Sequence, residues 1–286
     1  MLGLKRSLLS MKVPVPMRKY LFASLVAATA AAPLVAEPPQ HIDVSTLPAQ
    51  AKVIDTVVVP VPSEVFNVLD KLGKPNWEDV LRPTKEGVKT PIEAPHTALL
   101  LGSIIAEGFI AVEAENGSEV KKIGSSVRKL ATALGVGDRV DKRASAIIKG
   151  ADAKNWNAVR QELDRAMEDV KSAMQELDSE PLSQLISIGG WLRGTEALTE
   201  VVGKGFTKDG AELLHQPLLL DYFERKLANM PAKYKRTSLI TDVQKGVLEI
   251  RPLVGFDSGD NISEKSVKEV GGIAGRLIES IQPKSK

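Results

Sequence analysis

Hydrophobic positions along this chain recur at three- and four-residue steps, the period of a helix buried along one side. The clearest stretch is 156–177, where Trp156, Val159, Leu163, Ala166, Met167, Val170, Ala173, Met174 and Leu177 make a dry stripe. Arg160, Glu162, Asp164, Arg165, Glu168, Asp169, Lys171 and Glu176 fall between them and make a wet face. This spacing predicts an amphipathic helix of about six turns. Trp156, Leu163, Val170 and Leu177 stand seven apart, as in a coiled-coil seam, but fewer than four heptads are sustained. The stripe is therefore expected to be core within one chain. Its alternative use is as the interface of a scaffold that oligomerises through helix 156–177.

Helix signals run from Ser63 almost to the C-terminus. Ser63 caps a helix to Leu72, and Asn76 caps a short turn over WEDVL that Pro83 ends. Pro95 opens a long apolar helix ending near Gly117. Ser118 or Glu119 opens one to Leu134 and Asp138 one to Lys149, with Gly135 and Gly150 as their stops. Pro181 starts a helix to about Val202, and Lys208–Asn229 follows, kinked or split at Pro217. Leu239–Ile250 and a last helix from Asn261 or Ser263 to Ile281 complete the series. The one strand candidate, Val53–Val61, is confined by Pro60 and Pro62 to an edge at most. Strands and helices do not alternate, which argues against a nucleotide-binding α/β sheet. The expected fold is all-α: a single multi-helix bundle of eight to ten helices over 63–282.

Three of these helices carry small residues four apart: Ala98, Gly102 and Ala106; Gly190 and Gly194; Gly271 and Gly275. Glycine inside a helix costs about 1 kcal/mol against alanine. Close backbone approach offsets that cost, so two or three of these helices are expected to cross tightly at the centre. GSIIAEGFIAVE (102–113) and GGWLRGTEALTE (189–200) also share a weak similarity, the trace of a possible duplicated helical unit.

The N-terminus has a different pattern. In MRKYLFASLVAATAAAPLVA (17–36), Arg18 and Lys19 precede an apolar run and small residues, the layout of a Sec-type signal peptide cleaved after Ala36. Met11 or Met17 is as plausible a start as Met1. The expected organisation is a signal peptide over 1–36, an extended proline-containing arm over 37–62, and the helical domain. An exported, periplasmic protein follows as the expectation. Charge changes accordingly: removing the five basic residues of 1–36 from a total of 38 leaves 33 against 36 acids, a net charge of −3. With only 4% aromatics as well, nucleic-acid binding has no support.

Candidate chemistry is sparse. Zero cysteines exclude disulfides, thiolate metal sites and a cysteine nucleophile. His41, His96 and His215 are the only histidines, with no HExxH or Glu-x-x-His repeat, so no metal or haem cofactor is expected. There is no GxSxG elbow or phosphate-binding glycine loop, and no catalytic residue is assigned. Glu107 and Arg193 stand out because each interrupts an otherwise apolar, glycine-flanked helix. With Trp191 they form the candidate ligand-binding set. The plainer expectation is a buried ion pair that sets helix register. Lys233, Lys235 and Arg236 beside Tyr234 form a small basic cluster, expected to be a solvated turn. The function expected is non-catalytic binding of a partner, either another protein or a second copy of this chain, or of a small apolar ligand. No membrane span is expected in the mature chain. The alternatives are an enzyme centred on Glu107 and Arg193, or the scaffold.

Overall fold

The computed structural model describes residues 75–82, 88–255 and 261–282. The expected signal peptide, the arm, the strand candidate and the helix of 63–72 lie outside these residues. The described part is all-helical, with no strand among the described residues. It has eight longer α-helices and one of five residues: α1 Ala94–Glu113, α2 Gly117–Ala133, α3 Gly137–Asp152, α4 Trp156–Glu176, α5 Glu180–Lys204, α6 Lys208–Glu212, α7 Pro217–Ala228, α8 Ser238–Ile250 and α9 Glu264–Ile281. Short 3-10 turns cover Trp77–Val80 and Arg251–Val254.

One turn joins the first five helices four times over. Glu115, Gly135, Lys154 and Asp178 each take a left-handed backbone conformation. The next residue's N–H reaches back to a carbonyl five positions earlier: Asn116 to Ala111, Val136 to Ala131, Asn155 to Gly150 and Ser179 to Met174, each at 2.8–2.9 Å. This is the Schellman closure, and the same residue that completes it caps the next helix. Asn116 and Asn155 do so with their side chains, accepting from the Glu119 and Ala158 amides. Two expected glycine stops are corrected here. Gly117 begins α2 and Gly150 lies inside α3, because a left-handed Glu115 and Lys154 make those turns. Gly150 instead lets α4 approach: a Cβ there would sit 2.7 Å from a Val159 methyl. Pro217 splits its region, as the first residue of α7.

The dry stripe of 156–177 packs inside the chain. Val159, Met167, Val170, Ala173 and Met174 of α4 are buried, against α3, α1 and α5. Trp156 and Leu163 are partly buried, and Leu177, 51% exposed, reaches water at the end. Val170→Glu is accordingly expected to unfold the chain rather than dissociate an oligomer, since it buries an unpaired charge. Circular dichroism and sedimentation of the variant read the two outcomes apart.

At the centre, α1 and α5 touch backbone to backbone. A Cβ on Gly102 would lie 1.9 Å from the Ile186 carbonyl oxygen, and one on Gly189 would lie 2.1 Å from the Leu99 carbonyl oxygen. The contact is reciprocal: each glycine faces the carbonyl three residues before the other. Gly102 and Gly189 are also the first residues of the two weakly similar stretches. The expected tight crossing is present and Gly190 lies in it, a Cβ there being 3.4 Å from the Gly102 carbonyl oxygen, but Gly194 has no neighbour within 4 Å and Gly189 makes the closest contact from α5. Two to three turns further along α5, Gly271 of α9 admits Thr199 and Gly275 admits Glu196. At 20 residues α1 is long and apolar enough to cross a membrane, but its apolar window is 94% buried in protein.

Candidate functional site

Glu107 and Arg193 meet in the crossing of α1 and α5. They are 3% and 1% exposed. Arg193 Nε donates to Glu107 Oε2 at 2.5 Å, and Arg193 Nη2 donates to the Val80 carbonyl at 2.5 Å. The other Glu107 oxygen accepts the Arg82 backbone N–H at 2.6 Å. Glu196, one helical turn beyond Arg193, accepts from the Arg82 guanidinium and faces Arg193 Nη1 at 3.3 Å. Two carboxylates, two guanidiniums and two backbone groups thus close on one another beneath residues 75–82. Arg193 Nη1 and Glu196 Oε2 take no further hydrogen bond there.

The electrostatics follow from burial. Desolvation pushes the Glu107 carboxyl above its ordinary range, and the charge and hydrogen bond of Arg193 and the Arg82 amide pull it back. Glu200, one turn further along α5, is also raised. Partial burial pushes it up, Arg193 draws it down, and the Glu196 carboxylate adds to the push. A carboxyl raised in the folded state binds its proton more tightly there than in the unfolded chain. Its ionisation therefore costs stability as pH rises from 4.5 through the folded value. Glu200→Gln is expected to melt higher than the native chain at neutral pH and to melt with it near about pH 4. Thermal melts across that range check this.

Of the sequence-predicted set, the structure brings Glu107 and Arg193 together and leaves Trp191 out. The Trp191 ring lies 5.4 Å from Phe223, and its N–H donates to Gln216 at 3.1 Å, so it locks α5 to the start of α7. Two residues from Arg193 on a helix is the other side of that helix. Three participants were missed: Arg82, Glu196 and the Val80 carbonyl. Glu196 carried a legible signal, being a turn from Arg193 in the same apolar helix. Arg82 carried none.

The two histidines among the described residues are each occupied. His96 Nε2 pairs with the Ile281 carbonyl at 2.7 Å, and His215 Nδ1 pairs with the Val254 carbonyl at 2.8 Å. Among the described residues no group of three or more His, Asp or Glu is placed to hold a metal ion. A second feature lies among α1–α4. It is an apolar cavity of about 30 Å³, walled by residues such as Ile105, Gly108, Ile123, Gly124, Val140 and Met167. A single water-sized probe needs about 10–15 Å³ on this measure, so the space is of water scale.

These two features, the buried charge cluster and the small cavity, are the candidate sites that the geometry offers. The chain matches no protein-family model, no curated protein and no solved structure.

Proposed function

We propose that this is an exported, non-catalytic helical-bundle protein that works by binding a partner protein. One observation carries the reading: both carboxylate oxygens of Glu107 and the Nε and Nη2 groups of Arg193 are engaged by each other and by the chain's own Val80 and Arg82. A catalytic pair must present a proton or a charge to substrate, and here both are directed at the protein itself. The size of the α1–α4 cavity also favours a protein partner over a small apolar ligand, because apolar ligand sites are typically several hundred Å³. The scaffold alternative loses its interface, since the 156–177 stripe is packed within the chain.

Native mass spectrometry of the untagged protein drawn from the cell envelope tests this. The expected result is a mass that begins at Glu37, in complex with a second, different polypeptide. An intact N-terminus overturns export. A retained small molecule in place of a polypeptide overturns the partner in favour of the apolar ligand, and a bare homo-oligomer restores the scaffold.

A further inference from the structure

We propose that Glu107, Arg193 and Glu196 form a peptide-docking site, held here by the chain's own residues 75–82, and that a partner segment of the same chemistry takes the same place. That chemistry is a tryptophan, an aliphatic residue three positions on, and an arginine two beyond it. The inference rests on the partner-binding reading and names its means.

The cluster reads a peptide as a recognition site would. Arg193 takes the carbonyl of Val80 and Glu107 takes the N–H of Arg82, so a donor and an acceptor grip the main chain two residues apart. Neither bond depends on the side chain at those positions. Specificity comes from the flanks: Trp77 and Val80 are buried, and the Arg82 guanidinium reaches Glu196. The site-side groups are rigid, because Arg193 and Glu107 are locked to each other across the α1–α5 crossing. A preorganised site of this kind loses little entropy on binding.

The occupant, by contrast, is lightly built. Its only regular structure is the four-residue turn Trp77–Val80, whose cap residue makes no side-chain bond. Its outer ties are exposed polar contacts, Lys204 to Asp79 and Asn116 to Glu78, which contribute little in water. The helices beneath pack through their own contacts. Arg193 Nη1 and Glu196 Oε2, both deeply buried, face each other at 3.3 Å and take no hydrogen bond from residues 75–82.

The test uses the full chain with Trp77→Ala and Arg82→Ala together, which weaken the resident segment and leave the site residues intact. A fluorescein-labelled peptide with the sequence of 75–82, amidated at its C-terminus, is titrated and read by anisotropy. Binding at least tenfold tighter than to the native chain is expected. A peptide lacking the tryptophan and arginine should not bind. If the substituted chain keeps its helicity and cooperative melt and the peptide does not bind, the proposal is overturned. A second measurement needs no variant. In the native chain the Arg82 amide should exchange its hydrogen at least tenfold faster than the α1 amides around Glu107, through local opening. Exchange of Arg82 only together with α1 would mean that the segment never leaves, and would overturn the proposal even if the variant failed to fold. A native complex that persists while the peptide fails leaves partner binding standing and removes this site as its means.

Discussion

Replacing Glu107 by alanine is expected to lower the melting temperature by on the order of 10 °C. The reason is Arg193. Its guanidinium is 1% exposed and spends Nε on Glu107. With the carboxylate gone it stays charged and buried, with only the more distant Glu196 to balance it. Stranding one member of a buried pair costs about 3–5 kcal/mol, and a chain of this size loses roughly 2–4 °C per kcal/mol. The Arg82 amide loses its acceptor as well, so residues 75–82 should loosen in the same variant. Exchanging both Glu107 and Arg193 for apolar residues of similar volume should recover much of the loss, since neither charge is then left alone. Differential scanning fluorimetry of the single and double variants checks both statements. An unchanged melt in Glu107→Ala would contradict the burial of this pair.

A single methyl group on the other side of the crossing should do comparable damage. Gly189→Ala places a Cβ 2.1 Å from the Leu99 carbonyl oxygen, about half of an ordinary van der Waals contact. The obstacle is backbone in the middle of α1, so no rotamer change relieves it and the two helices must separate. That separation also stretches the Arg193–Glu107 bond a turn away. The expected cost is at least ~3 kcal/mol, the upper end for overpacked cores. Gly194→Ala is the control, because its Cβ meets nothing within 4 Å. There the helix should gain about 0.5–1 kcal/mol from the better helix former. Chemical denaturation of the pair, five residues apart on one helix, reads opposite signs from the same substitution.

The sequence alone carried the all-helical character and most element positions. The reason is local: a cap such as Ser263, prolines at helix starts, and three-to-four spacing all act within a turn or two. The destination of the 156–177 stripe was legible too, because too few heptads were sustained to sustain a seam with another chain. So was the pairing of Glu107 with Arg193, since a lone charge in an apolar helix demands a partner and each was the other's obvious candidate. Where local signals misled, a tertiary gain had overridden them. Glu115 and Lys154 accept a left-handed backbone that glycine would take more readily, while Gly150 is kept inside a helix to let α4 in.

Only the tertiary structure decided which atoms share the centre. Arg82 lies 25 residues from Glu107 and 114 from Glu196, and no spacing rule spans those distances. The register of the α1–α5 crossing was equally hidden. GGWLRG offers three glycines to a neighbouring helix, and helix periodicity allows either Gly190 and Gly194 or Gly189 to face it. Steric exclusion put Gly189 deepest in the crossing, where the other backbone comes closest, with Gly190 beside it at ordinary contact distance and Gly194 clear of it. A helix states its own period; which side it turns inward, and what it meets there, is settled by the volume and charge of everything packed against it.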